Sequence, residues 1–486
     1  MNSVRKNATL NIIKQICTIV FPLITFPYAT RVLHTENYGM FTFASSVISY
    51  FTLIAALGVN NYAVREGARV RDNKTELGNF VKRVFTINVG STLLAYLLLA
   101  LLMVFWRKLD PYRDLLLILS TAIVFTTIGT DWVNVIFEDY AYITKRYIIC
   151  QCVAIIVLFI LVHDQEDVAW YAFVSVLGSV LANITNIFYI RKKYGIKLGF
   201  SLSGETFKHL FPILVLFANA VAVTVYIHSD TTILGILKDD YAVGIYGVAS
   251  RIYIMVKQVA NAAIYVVIPR VASLISQGKE EEIKELYRDT LGNVLLVLIP
   301  ALVGLSCLSE QIVLLIAGQD YIEAAQPLII LSFSLIFASS ACLYINGILI
   351  PFRMEKVVLF LTIISACINI SLNFILIPVF SFNAAALTTL IAEVFMCVAG
   401  IIMTKKICLI PIKRELLWGI VSGGIVFFVC MIVKIITNNY LAIITLSLTF
   451  SAFLYAILMC TIKNNFIYEL FVKIKRKIYN QLTEGD

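Results

Sequence analysis

The chain has 486 residues, of which 60% are hydrophobic and 14% charged, with a formal net charge of +9 at pH 7, and its mean hydropathy is +0.88. A soluble domain is closer to half apolar and a quarter charged, so this composition excludes a soluble enzyme or binding module and points to a polytopic membrane protein. The basic excess is not a nucleic-acid footprint, because the cations sit between apolar runs rather than in one patch.

The chain opens with MNSVRKN and a long apolar stretch that contains Pro22 and Pro27. No small-residue cleavage site follows its first part, so it is expected to stay as the first spanning helix. A span needs about twenty mostly apolar residues. Such runs fall near 9–33, 38–60, 83–106, 115–136, 147–163, 168–190, 208–237, 242–268, 290–308, 325–348, 357–377, 383–404, 415–436 and 441–462, which predicts fourteen helices. With the N-terminus inside, thirty lysines and arginines lie in inner segments and five (Arg31, Arg107, Lys108, Arg113 and Lys238) in outer ones. That asymmetry predicts both termini on the cytoplasmic side.

An internal repeat organises these spans. Tyr38 to Arg69 overlays Val243 to Leu274 without a gap, bringing Gly39 onto Gly244, Ala44 onto Ala249, Ser45 onto Ser250 and Arg65 onto Arg270. A repeat that carries a helix onto one of the same direction is parallel and marks a transporter built from two related halves, with the substrate cavity expected between them. The expected organisation is a six-helix bundle over 1–195, a cytoplasmic linker over 196–207, and a second bundle over 208–405. Residues 406–486 add two further helices and a basic tail. Around 466–479 that tail spaces its apolar residues by four among lysines and an arginine, which suits either a helix on an anionic leaflet or a solvated tail.

Polar groups inside spans are costly, so they face a cavity or a partner. The first helix carries Asn11, Lys14, Gln15 and Thr18 in one stripe, and the second carries Ser45 and Ser49. Two such stripes read as a wet cavity wall, or as hydroxyls bonding back to their own helix. Tyr226 and Asp230 share a face of the seventh helix. Arg251 and Gln258 share a face of the eighth, with Tyr253, Lys257 and Asn261 on the adjoining one. Asp131 and Glu393 are further intramembrane carboxylates, candidates for ion coupling or for charge pairing. Arg65 and its repeat partner Arg270 end their spans on the inner side, where anchoring at the lipid headgroups is the structural role expected of them. The ten cysteines lie almost all in apolar runs and are read as small apolar fillers. No phosphate-binding loop, zinc spacing or nucleophile motif occurs, so no metal or cofactor is expected, and no loop is long enough for a soluble catalytic domain.

Several stretches resemble one family. FPLITFPYATRVLHTENYGMFTFASSVISYF, GVNNYAVREGARV, TDWVNVIFEDYAYIT, VGIYGVASRIY and IAGQDYIEAAQPLIIL occur in the order and spacing of the bacterial oligosaccharide flippases of the polysaccharide-transporter (Wzx-type) family. That family shares a superfamily with multidrug extruders and lipid II flippases. The resemblance implies an all-α membrane protein of two pseudo-symmetric six-helix bundles around a central cavity, plus two C-terminal helices. It implies flipping of an undecaprenyl-diphosphate-linked oligosaccharide across the bacterial cytoplasmic membrane by alternating access coupled to an ion gradient, with no enzymatic step. Lys14, Arg31, Arg251 and Lys257 would then pair with the diphosphate, and Arg65 matches the family's inner-end arginine. Membrane lipids, the polysaccharide polymerase and its assembly complex are the implied partners, and a monomer is the default. A drug extruder favours acidic groups for cationic cargo, whereas the first helix here offers Lys14 and Arg31. A lipid II flippase has the same charge logic as an oligosaccharide flippase.

Overall fold

The computed structural model describes residues 2–405, 407 and 413–461, without the side chains of 2–9, 11, 12, 219 and 413. The basic tail and the side chain of Asn11 lie outside the described residues. The helices are α1 (Asn2–Ala56), α2 (Val59–Val70), α3 (Lys74–Phe105), α4 (Arg113–Gly129), α5 (Trp132–Ile136), α6 (Tyr140–Leu161), α7 (Val168–Tyr194), α8 (Gly204–Lys208), α9 (Leu210–Leu237), α10 (Asp240–Ser276), α11 (Glu280–Cys307), α12 (Ser309–Ile316), α13 (Ala325–Cys342), α14 (Glu355–Thr404), α15 (Lys413–Ile436) and α16 (Tyr440–Thr461). No strand occurs among the described residues. This is the all-α architecture expected, and its cause is the solvent: hydrocarbon offers backbone groups no partner, so each segment satisfies them internally.

Among the described residues, twelve continuous helical runs are long and apolar enough to cross a membrane, against the fourteen predicted. The difference arises at two places where no loop separates neighbouring spans. His34 (φ 57°) interrupts α1 and Ser381 (φ 50°) interrupts α14. Each is a single non-helical residue in a left-handed φ region, which costs about 1–2 kcal/mol. The arms on either side coincide with the predicted runs 9–33 and 38–60, and 357–377 and 383–404.

α3 shows how the spans are faced. Leu93, Leu97, Leu101 and Val104 form an exposed stripe at helical spacing, while Val84, Asn88, Ser91, Ala95 and Leu99 are buried on the other side. An apolar face this long is an aggregation hazard in water and suits lipid.

The chain forms two compact units, residues 1–247 with 362–385, and residues 248–361 with 386–486. Their borders fall inside α10 and α14 rather than in the 196–207 linker. In the first unit, α1 beyond His34 meets the start of α10 with almost no space between backbones. A Cβ built on Gly39 would lie 1.8 Å from the Asp240 carbonyl oxygen, and one on Gly244 would lie 2.2 Å from that of Thr35. The repeat offset that pairs Gly39 with Gly244 also pairs Thr35 with Asp240, so each glycine faces the carbonyl four residues before its repeat partner. Below this junction, Tyr62, Phe80, Trp132 and Ile136 build a buried cluster from α2, α3 and α5. Asp139, in the turn before α6, accepts hydrogen bonds from Lys193 Nζ (2.5 Å), Tyr189 (2.6 Å) and Tyr194 (2.9 Å). Burial works against its charge, but these donors outweigh burial and hold the carboxyl below its ordinary 3.8.

In the second unit α11 packs against α13 and α15. Tyr287, fully buried, donates to the Gly347 carbonyl (2.7 Å). That carbonyl sits in a π-helical turn, Leu343–Leu349, that continues α13.

Gly39→Val or Gly244→Val forces the two backbones apart. Each is expected to destabilise the protein by about 1–3 kcal/mol or more in a thermal melt in detergent. Gly90→Ala, where a Cβ meets nothing within 4 Å, is the control expected to be neutral or stabilising. Because the folded carboxyl titrates below the unfolded value, Asp139 contributes stability that is present above pH 3.8 and lost as pH falls through its folded pKa. Melts from pH 6 to pH 3 should show this loss, and Asp139→Asn should flatten that part of the profile.

Candidate functional site

The first unit holds a cavity of about 460 Å³ lined by Ser45, Ser49, Thr52, Thr224, Ser175 and His228 among apolar residues. The polar stripe read on the second span is thus one wall of it. The hydroxyls also satisfy themselves locally: Ser49 donates to the Ser46 carbonyl (2.6 Å) and Thr52 to that of Ile48 (3.0 Å). Lining a cavity and bonding back to the helix are thus compatible for these hydroxyls. In the stripe on the first span, Gln15 is exposed and Thr18 bonds back to the Gln15 carbonyl (2.6 Å). Tyr226 is half-buried on α9.

Asp230, 5% exposed, sits in a buried polar cluster of the same unit. It accepts from Tyr246 (2.8 Å), Asn369 Nδ2 (2.9 Å) and Asn373 Nδ2 (2.6 Å). Ser229 donates to Asn369 Oδ1 (2.9 Å), which also receives Asn373 Nδ2 (3.1 Å). A buried carboxylate is tolerated only where its lone pairs are satisfied, and these donors do that. The asparagines carry a signal that the sequence reading passed over: two amides four residues apart on one face of an apolar span.

Asp131 pairs with Arg146 (2.5 Å), whose side chain is only 5% exposed. Arg146 also lies against the Tyr142 ring, 5.2 Å from its centroid. Its Nε and Nη1 find no partner among the described residues. In the sequence Arg146 counted only towards orientation, because it stands within two turns of a helix start. Lys14 lies 5.9 Å from the Tyr147 ring centroid, and Arg31 is exposed. Arg65 is an exposed residue of the short helix α2, where it pairs with Glu66 (2.9 Å).

In the second unit, α10 turns its two polar faces to different surroundings. Arg251 and Gln258 are exposed, and Arg251 makes no ion pair among the described residues. Tyr253 and Asn261 are buried, with Lys257 between them. Lys257 Nζ lies 2.5 Å from Glu393 Oε1 and 5.5 Å from the Tyr253 ring centroid. Two residues read as separate candidates, one for substrate and one for ion coupling, are therefore partners. Asn261 Oδ1 has no partner among the described residues. Arg270, near the end of α10, is exposed.

A family profile described as "Polysaccharide biosynthesis protein" matches residues 4–275, and one described as MatE matches residues 215–375. A "Putative O-antigen transporter" of Shigella dysenteriae is 23% identical over 398 residues, 80% of this chain and 97% of that one. Another, from Escherichia coli (strain K12), is 22% identical over 274 residues, 56% of this chain and 66% of that one. Among solved structures, a lipid II flippase, MurJ, in an inward closed conformation matches with a TM-score of 0.72 at 18% identity, over 95% of this chain and 100% of that one. An inward-facing multidrug resistance MATE family transporter of the MOP superfamily gives 0.60 at 14% identity, over 83% of this chain and 95% of that one. At these identities the structural likeness establishes the fold. The first profile covers more than half of the length, and the chain belongs to the polysaccharide biosynthesis protein family.

Proposed function

We propose that the protein is a flippase that moves a polyprenyl-diphosphate-linked oligosaccharide from the inner to the outer leaflet of the bacterial cytoplasmic membrane, for cell-surface polysaccharide synthesis. The observation that carries this reading is the cationic pair on one membrane helix, Arg251 exposed and Lys257 partly accessible. A lipid-linked diphosphate is a dianion that does not cross about 30 Å of hydrocarbon unaided. Six residues separate the two cations, about 9 Å along the helix and 120° around it, so they serve one extended anion better than a single point charge. Arg offers paired hydrogen bonds to phosphate oxygens, and Lys a compact charge. The O-antigen transporters among the relatives support the same substrate class. A cation-exporting drug extruder is the weaker reading, because cationic cargo is repelled by these groups.

Lys14 and Arg31 in the first unit are proposed as further phosphate contacts. The hydroxyls and imidazole around the cavity of that unit, with Tyr226, suit sugar hydroxyls, and Asn261 offers a further free acceptor. Asn11, on the same first span, is proposed to join this polar set. Asp230, with its asparagine cage, Asp131 and Glu393 are proposed to couple transport to an ion gradient or to balance charge. Arg65 and Arg270 are proposed as repeat-related anchors at the inner headgroups. Transport proceeds by alternating access, with no covalent step. The polysaccharide polymerase and its assembly complex are the proposed protein partners of a monomer.

Flipping of a fluorescent undecaprenyl-diphosphate oligosaccharide in proteoliposomes tests the reading. A charge-assisted hydrogen bond contributes about 1.5–3 kcal/mol, so Arg251→Ala and Lys257→Ala should each slow flipping on the order of 10–100-fold at equal reconstitution. Unchanged rates in both variants would remove the site assignment. Export of a cationic dye without oligosaccharide movement would replace the substrate class. Both termini are expected in the cytoplasm, so a fluorescent protein fused at either end should mature, and an alkaline phosphatase fused at either end should stay inactive.

A further inference from the structure

Lys257 and Glu393 stand 136 residues apart in sequence and meet inside the second unit. Their burial is unequal: 26% of the lysine side chain is accessible, against 6% of the glutamate. The ammonium is thus open to a second anion, while the carboxylate is enclosed. Among the described residues, the charged and titratable groups around Glu393 are Lys257 and Tyr253 on α10, Cys342 on α13 and Cys397 on its own helix. Lys257 is the cation in this group. A buried ion pair is a weak source of stability, because desolvation of both charges offsets their attraction. Its distinctive property is that a competing anion can change which partner holds the cation.

We infer that Glu393 is the resident counter-ion of Lys257, that the diphosphate of the lipid-linked substrate displaces it, and that the freed carboxylate then takes a proton from water. This rests on the substrate class proposed above. Charge balance supplies the reason for the proton. In the empty site, the lysine and the glutamate cancel. The second unit sets two cations, Lys257 and Arg251, against the two negative charges of a diphosphate diester, and a charged Glu393 would leave that unit one negative charge in excess. A carboxylate left charged beside the bound anion would be an uncompensated buried charge. One O–H bond forms at Glu393 when the substrate loads, and it breaks when the ion pair re-forms. The proton leaves with the substrate, so this step draws nothing from an inward proton gradient. It halves the negative charge carried outward.

The test is made on the purified full chain in nanodiscs, weakly buffered near pH 7.5, titrated with a farnesyl-diphosphate disaccharide while a pH dye counts protons. Wild type should take up about one proton per probe bound, and its Kd should weaken about tenfold per pH unit. Glu393→Gln should bind with no proton uptake and with a Kd independent of pH. The double variant Lys257→Gln/Glu393→Gln removes both charges together, so it should melt near wild type and bind at least tenfold more weakly. Binding by wild type without proton uptake, or uptake that persists in Glu393→Gln, would overturn the exchange and leave the flippase standing. No binding of the probe by wild type would overturn the substrate class and the exchange with it. The wild-type proton count decides even where a single variant does not fold.

Discussion

A polar group placed in hydrocarbon finds its partner inside the protein or goes without one, and this condition governs every level of the structure. It makes the backbone helical throughout the spans. It returns the hydroxyls of Ser49 and Thr52 to carbonyls one turn back. It closes asparagine amides and a tyrosine hydroxyl around Asp230, sets Arg146 against Asp131, and sets Lys257 against Glu393. Against that background, an exposed Arg251 with no ion pair among the described residues is conspicuous on a membrane helix, because nothing in its own unit is seen to neutralise it.

The charges are of two kinds. Caged ones such as Asp230 have their lone pairs filled by neighbouring donors. Accessible ones such as Arg251 are the groups proposed to meet a large anion. Lys257 belongs to both kinds, being paired yet reachable, and it is therefore the residue at which substrate binding and charge balance can be linked. For the proposed dianionic substrate such a residue has a use, since permanent cations alone would hold their cargo too firmly to release it.

Much of this was legible in the sequence because hydropathy is a local property. The spans, the repeat and the charged residues inside the spans stand out in a single pass along the chain. What did not stand out were relations between distant positions. Lys257 and Glu393 were each noticed, but nothing in the sequence joins residues 136 apart. Asn369 and Asn373 carry no formal charge and so do not stand out in an apolar span, although a caged carboxylate depends equally on its neutral donors. The junctions at His34 and Ser381 are each made by one non-helical residue that is neither glycine nor proline, so the sequence marks no break at the position itself. The repeat aligned Gly39 with Gly244 but gave no hint that the two positions touch.

That contact has the form of a two-fold interface. Thr35 meets Gly244 as Asp240 meets Gly39, and each pair maps onto the other under the same offset of 205 residues. In a homodimer such reciprocity is what symmetry imposes on any residue near the axis. A single short segment, present in two identical copies, would make this contact with itself. The chain therefore holds within one polypeptide an interface of the kind that two copies of one segment would form.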